Sequence, residues 1–174
     1  EAFLGDTAEA IAAEKAGIAK RDIFLLTMRY PDPIAARVAA VAATAGAPLM
    51  AEGQAWRYIV SKGMLRYTDA RGTLVTPLPA LAGPHQPANL ALAIAMLRFN
   101  RVLRFANDAL SAAATRARWP ARMQRLSPGP LTEMLPAGSE LWLDGGHNPA
   151  AADAIAAAIG VIAAGRPLQL ILGM

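Results

Sequence analysis

The sequence contains no cysteine and only two histidines among its 174 residues. Disulfides and thiolate metal sites are therefore excluded, and a zinc site is disfavoured, so any bound metal is expected to be a hard ion with oxygen ligands. No apolar run reaches the roughly 18 to 20 residues that a membrane-spanning helix needs. No signal peptide opens the chain either. We therefore expect no membrane partner and a cytoplasmic location.

Acidic residues are scarce between positions 101 and 125, where Asp108 is the only one. Six arginines crowd the same region: Arg101, Arg104, Arg116, Arg118, Arg122 and Arg125. Nucleic-acid binding needs such charge, but no aromatic interleaving or nucleic-acid module accompanies it. A solvated helix face or a site for a small anion is favoured, and nucleic acid is not expected as a partner. With 55% apolar and 17% charged residues, the chain has the composition of a globular protein.

Apolar periodicity predicts an α/β fold in the first half. A helix is predicted to begin at the candidate N-cap Asp6, with Glu9 three residues on, and to end at Gly17. Strands are predicted at 22–28 and 47–52, with a helix at 33–46 between them. A strand, a helix and a strand in that order predict a parallel βαβ unit.

The pattern changes at residues 56–78, where β-branched and aromatic residues broken at "SKG" and "DARG" predict antiparallel hairpins. Helices are predicted at 87–99 and 107–118. A hairpin around "SPGP" (127–130), a strand in "ELWLD" (140–144), a helix at 149–164 and a strand in "LQLIL" (168–172) follow. Pro120 separates the two patterns, which places a domain boundary near 119–122, between domains 1–121 and 122–174. Because the chain begins with Glu1 and ends on a strand-like run, we expect a fragment of a longer protein.

The segment "LDGGHNPAA" (143–151) stands where an apolar run meets an alanine-rich helix. In open α/β sheets, ligands bind beyond the carboxyl ends of the strands and at helix N-termini. Asp144 could accept hydrogen bonds from ribose hydroxyls, His147 could reach a phosphate or carboxylate, and Asn148 could cap the helix. An ordinary turn, with a capping asparagine and an exposed histidine, explains the same residues equally well.

Four segments taken together are more specific. "LGDTAEAIAAEKAGI", "HQPANLALA", "WPARMQ" and "LDGGHNPAAADAI", in this order and spacing, closely resemble the folylpolyglutamate synthase/dihydrofolate synthase family, within the wider group of Mur ligases. The resemblance covers nearly the whole chain and is weakest over 53–80. It implies the end of a Mur-ligase-type central ATPase domain, followed by the start of a Rossmann-like carboxyl-terminal ligase domain. The family's Gly-x-x-x-x-Gly-Lys-Ser/Thr loop and an Asp-His pair would precede this sequence.

The resemblance implies an ATP-dependent ligase that joins L-glutamate to a carboxylate of folate or dihydropteroate through an acyl phosphate. ATP and Mg²⁺ are the implied cofactors, and a monomer is expected. A Mur-type UDP-N-acetylmuramoyl amino-acid ligase, a non-catalytic nucleotide-binding module and a structural interaction domain stay open as alternatives.

The resemblance also implies site residues. Lys15 matches a lysine that is carbamylated in related ligases, where it acts on the metal indirectly. Its position alone favours a surface lysine at a helix end, but with the motif the carbamylated lysine is the preferred interpretation. Asn89 matches a contact to adenine, and Arg122 matches a phosphate contact, although Ala121 replaces the usual glycine before it. Asp144 and His147 match positions near the ribose and the phosphates. His85 and Gln86 share a motif with Asn89 but receive no firm role.

Overall fold

The computed structural model describes residues 7–173. The first helix, α1 (Ala8–Ala16), is capped by Thr7, whose Oγ1 accepts a hydrogen bond of 3.1 Å from the amide of Ala10. The predicted cap, Asp6, lies outside the described residues. Gly17 ends the helix as predicted, because its amide donates to carbonyls of the last turn.

The predicted βαβ unit is confirmed. Strand β1 (Leu25–Thr27), helix α2 (Asp32–Ala45) and strand β2 (Leu49–Ala51) follow in order, and the two strands pair in parallel. Gly46 closes α2 at a φ of 69°, in the left-handed region that glycine adopts without strain. A small core joins this unit to α1; its buried members are Ala16, Leu25, Val38, Ala42 and Ala47.

The predicted antiparallel hairpins are also confirmed. Strands β3 (Trp56–Ser61), β4 (Met64–Asp69) and β5 (Gly72–Pro77) form a sheet in the order β3-β4-β5. Its buried face packs against α3 (Gln86–Phe99) and α4 (Asn107–Arg116). Both helices lie close to their predicted positions. The buried core of this part consists of Trp56, Leu65, Tyr67, Leu74, Ala91, Ile94, Ala95 and Leu110.

The second half contains β6 (Gln124–Arg125), α5 (Pro130–Glu133), β7 (Trp142–Leu143) and α6 (Pro149–Ala163). The strands β6 and β7 pair antiparallel, but the predicted hairpin turn at "SPGP" is wrong. Pro130 instead occupies the first position of a short helix, where its missing amide is not needed. The Gly129 amide donates to Thr132 Oγ1 at 2.8 Å and stabilises that helical turn.

The strand predicted at 168–172 is not formed either. Within residues 7–173 this segment pairs with no strand, and its apolar side chains are exposed, from 59% at Leu168 to 90% at Ile171. A strand needs a partner for its backbone hydrogen bonds, and apolar periodicity does not supply one. In the part of the chain that is described, no helix has the length and apolarity to cross a membrane.

Candidate functional site

The loop between β7 and α6 is built around the carboxylate of Asp144. Its Oδ1 accepts a hydrogen bond from the Gly146 amide at 2.7 Å, and its Oδ2 accepts one from the Met123 amide at 2.8 Å. Asn148 caps α6, since its Oδ1 accepts from the Ala151 amide at 2.9 Å. The predicted cap is therefore confirmed.

His147 lies beside this cap and is exposed. Its Nδ1 is 3.1 Å from the carbonyl oxygen of Gly145. A carbonyl can only accept a hydrogen bond, so Nδ1 is the donor in this contact, and no hydrogen bond within residues 7–173 occupies Nε2.

The "WPARMQ" segment forms a left-handed turn around Arg122. Ala121 has a φ of 54° and Met123 a φ of 44°. The Ala121 carbonyl accepts from the Gly145 amide at 2.9 Å, and the Ala121 amide donates to Gln124 Oε1 at 3.0 Å. The turn thus adopts the conformation that a glycine at position 121 would adopt freely, although alanine occupies it. Arg122 is exposed at its centre.

The start of α3 brings a third group of polar residues to the site. Gln86 is only 6% exposed; its Nε2 lies 3.0 Å from His85 Nε2, and its Oε1 accepts from Asn89 Nδ2 at 3.3 Å. Asn89 itself is exposed in the first turn. Gln86, like His85, has no role predicted from the sequence. Only its burial between two polar neighbours, which the sequence does not reveal, distinguishes it.

These three groups meet at one small cavity of about 50 Å³. Its polar lining comes from His85 and Gln86 on one side and from Arg122 and Asp144 on the other. Asn89 reaches it through Gln86. The cavity is far smaller than the roughly 300 to 1,000 Å³ of a nucleotide-sized pocket. It marks the place where α3 and the two loops converge.

Lys15 is not part of this convergence. It is exposed in the last turn of α1 and does not line the cavity. The burial that would favour a neutral amine is not supplied by the described residues, so its carbamylation stays a prediction.

The described residues also do not form a Mg²⁺ site by themselves. Within residues 7–173, no three His, Asp or Glu side chains cluster as metal ligands. Both carboxylate oxygens of Asp144 already accept backbone hydrogen bonds. The described residues therefore do not provide the ligand set of a metal ion.

A larger cleft of about 470 Å³ lies elsewhere, at the carboxyl ends of β1 and β2. Arg29, Tyr30, Asp32, Glu52 and Gln54 contribute to its lining. None of the site residues predicted from the sequence lines it. We place the candidate site at the smaller cavity because three of the four motifs meet there.

Comparison with known proteins agrees with the motifs, although no model of a known protein family matches the sequence. Folylpolyglutamate synthase from Lacticaseibacillus casei is 30% identical over 157 residues, covering 84% of this chain and 34% of that protein. Dihydrofolate synthase/folylpolyglutamate synthase from Escherichia coli K12 is 32% identical over 152 residues, covering 87% of this chain and 32% of that protein. The chain thus spans about a third of the length of the curated relatives it matches.

Solved structures give the same result. The chain superposes on E. coli FolC in complex with DHPP and ADP with a TM-score of 0.75 at 30% identity, over 97% of this chain and 36% of that one. For an FPGS-AMPPCP-folate complex the TM-score is 0.72 at 26% identity, over 93% and 39%. The fold is therefore α/β and of the Mur-ligase type. Over most of its length, the chain is a relative of the folylpolyglutamate synthase/dihydrofolate synthase family, which confirms the resemblance predicted from its motifs.

Proposed function

We propose that the full-length protein joins L-glutamate to a carboxylate of folate or dihydropteroate and consumes ATP in doing so. The observation that carries the proposal is the convergence of "HQPAN", "WPARMQ" and "LDGGHNP" on one cavity. Relatives with the same fold have been solved with DHPP and ADP and with AMPPCP and folate, which supports a nucleotide and a folate as ligands.

The chemistry explains why ATP is needed. A carboxylate resists an amine because it is an anion and because oxide is a poor leaving group. Transfer of the γ-phosphoryl group of ATP to the carboxylate gives an acyl phosphate and ADP. The glutamate amine then adds to the acyl carbon, loses a proton, and expels inorganic phosphate as the amide forms. When bound, Mg²⁺ would supply charge neutralisation at the phosphates.

The residues of this chain bind and orient the nucleotide in the proposal. Arg122 is exposed at the centre of its turn, and its guanidinium can grip two phosphate oxygens at once. His147 presents Nε2 beside the N-terminus of α6, which itself favours anions. Asn89 offers an amide that can both donate to and accept from adenine. Asp144 lines the same cavity as Arg122, and by the resemblance its carboxylate is the candidate contact to the ribose.

The division into domains 1–121 and 122–174 is part of the same proposal. The cavity is lined from both sides of this boundary, so closure of the two domains would complete the nucleotide site. A cytoplasmic location and a monomeric state accompany the proposal as predictions. In the proposal, the amine of Lys15 carries a carbamate that would act on Mg²⁺ indirectly.

The relatives described above favour the folate enzymes over a Mur-type ligase for peptidoglycan precursors. A non-catalytic nucleotide-binding module has the same α/β layout but would bind ATP without turnover.

The test is an assay of the full-length protein with Mg-ATP, L-glutamate and either dihydropteroate or tetrahydrofolate. We expect release of ADP that depends on both glutamate and the pterin, together with a product heavier by one glutamyl unit in mass spectrometry. Turnover with a UDP-N-acetylmuramoyl acceptor instead would establish the Mur-type alternative. Binding of ATP without product in either assay would leave only the non-catalytic module.

A further inference from the structure

We propose that Asp144 is a positioning residue, which holds the left-handed turn of residues 121–123 and thereby sets the direction of Arg122. The inference rests on the proposed function only in treating Arg122 as a contact to the nucleotide. It differs from the ribose contact predicted for Asp144 from the sequence, and the two roles are separable by experiment.

The backbone conformation of residues 121–123 must be stabilised by contacts from outside the turn. Ala121 and Met123 both have positive φ, at 54° and 44°, and neither is a glycine. Each such conformation is strained for a residue with a Cβ atom and persists only where the surrounding structure enforces it. Arg122 lies between them, so relaxation of either residue would redirect its side chain.

Hydrogen bonds to the loop at residues 144–146 stabilise the turn. Asp144 Oδ2 accepts from the Met123 amide at 2.8 Å, and the Gly145 amide donates to the Ala121 carbonyl at 2.9 Å. Both strained residues are thus tied to the same short loop. Met123 is also buried, at 6% exposure, which fixes the end of the turn.

The loop is itself fixed to α6. Asp144 Oδ1 accepts from the Gly146 amide at 2.7 Å. A Cβ atom at Gly146 would lie 2.7 Å from Ile155 Cδ1 and 3.1 Å from Ala151 Cβ, so the loop lies tightly against the helix. The connection therefore runs from α6 through the carboxylate to the turn that carries Arg122.

The two oxygens of Asp144 each meet a backbone N–H, and this pattern demands a carboxylate. An asparagine could accept only one of these hydrogen bonds, and its NH₂ group would face the other donor. Asp144→Asn therefore keeps the shape of the side chain while it breaks one of the two connections. If Asp144 instead contacted ribose hydroxyls directly, asparagine would still offer both an acceptor and a donor to them.

The experiment uses the full-length protein and measures kcat/KM for ATP in Asp144→Asn with and without Ala121→Gly. Glycine adopts positive φ without strain, so Ala121→Gly should restore a large part of the roughly tenfold loss expected from Asp144→Asn. In an Arg122→Ala background, Asp144→Asn should add little further loss, since both changes act through the same side chain. Asp153→Asn, an exposed carboxylate on α6, is the matched control and should leave the kinetics unchanged.

A second readout does not depend on activity. Hydrogen exchange should accelerate in Asp144→Asn at whichever of the Met123 and Gly146 amides faces the introduced NH₂ group, and at neither amide in Asp153→Asn. Independent, multiplicative losses in Asp144→Asn and Arg122→Ala, without rescue by Ala121→Gly, would overturn the proposal in favour of direct contact with the ligand. Unchanged exchange at both amides would overturn it even if the protein proved to have no ligase activity.

Discussion

At the scale of single residues, Arg98 and Asp69 form a buried ion pair that was not predicted from the sequence. Arg98 is 7% exposed; its Nε donates to Asp69 Oδ2 at 2.9 Å and its Nη2 to Asp69 Oδ1 at 2.8 Å. Its Nη1 donates to Asn107 Oδ1 at 3.2 Å. One side chain thus joins α3, β4 and α4.

Breaking this pair should be costly, because the partner that remains would be a buried charge without compensation. We expect Asp69→Asn to lower the free energy of unfolding by about 3 to 5 kcal/mol in urea denaturation. Arg125→Ala is the matched control: it removes the exposed ion pair with Glu140 and should change the free energy of unfolding far less, because solvent screens exposed charges. Equal losses in the free energy of unfolding would show that the buried pair stabilises the protein no more than the exposed pair does.

The same cluster predicts a pH dependence. Burial, and after it the neighbouring Asp69 carboxylate, raise the pKa of the Tyr67 hydroxyl well above its ordinary value of 10.0. A raised pKa contributes stability that is present below pH 10.0 and is lost as the pH rises above it, when the unfolded state ionises first. We expect the free energy of unfolding to decline on the alkaline side of that value.

Tyr67→Phe should flatten this alkaline decline, since the ionising group is removed. Tyr58→Phe is the control, because Tyr58 is partly exposed and its pKa is also raised, first by burial and then by Glu52. Urea denaturation on both sides of pH 10.0 measures the slopes. A slope that falls more in Tyr58→Phe than in Tyr67→Phe would contradict the assignment.

Lys15 is the residue whose predicted role demands a specific chemical species. If its amine carries CO₂ in the full-length protein, Lys15→Ala should lose most ligase activity while the fold persists, and Lys15→Arg should fare no better, since arginine cannot form the carbamate. Added short carboxylic acids should restore part of the rate in Lys15→Ala. In the competing explanation, Lys15 is an exposed cation in the last turn of α1, worth about 0.3 to 1 kcal/mol from the helix dipole. Wild-type turnover in Lys15→Arg would establish that explanation.

At the scale of secondary-structure elements, the N-terminus of α6 offers a direct test of local structure. Asn148→Ala removes the acceptor for the Ala151 amide and should cost about 1 kcal/mol of stability. Asn148→Ser should retain most of the capping, because a hydroxyl oxygen can accept the same hydrogen bond. Hydrogen exchange of the first α6 amides measures both variants. Equal protection in the alanine and serine variants would show that the cap does not stabilise the helix.

The elements that the sequence predicts well are those with local causes. Gly46 ends α2 in the left-handed region, and the turn between β3 and β4 places Lys62 and Gly63 at φ of 50° and 71°, as a tight hairpin demands. "SPGP" was misassigned because proline and glycine favour a hairpin turn and a helix start alike. The strand at 168–172 failed because pairing depends on a neighbour, which periodicity within a segment does not reveal.

Of the residues that the sequence predicts for the site, Arg122 and Asp144 line the small cavity, whereas Lys15 and His147 do not, and the roles of all of them stay predictions. The motifs predicted Arg122, Asp144 and Asn89 as separate contacts. The hydrogen bond from Met123 to Asp144 spans 21 positions, and no local pattern signals a link of that range. The sequence shows only that alanine replaces the usual glycine at position 121. The structure shows that this alanine adopts a positive φ and is therefore strained.

At the scale of the whole molecule, the site is shared between the two predicted domains. Residues on α3 face residues of the second half across the small cavity, so neither half alone presents the full set of polar groups. The apolar side chains of residues 168–172 are exposed. The chain also matches only about a third of the length of each curated relative. Nucleotide binding is therefore expected to depend on more of the protein than these 174 residues.

This expectation gives a prediction for the 174-residue chain on its own. The sequence contains no Gly-x-x-x-x-Gly-Lys run, whose backbone amides would cradle the phosphates. Arg122, His147 and Asn89 could contact only separate parts of ATP from an open surface. In calorimetric titration we expect Mg-ATP to bind with a Kd of about 1 mM or weaker, which corresponds to roughly 4 kcal/mol, whereas the full-length protein should bind far more tightly under the same conditions. Micromolar binding by the chain alone would mean that the three motif segments form a complete nucleotide site without the phosphate loop.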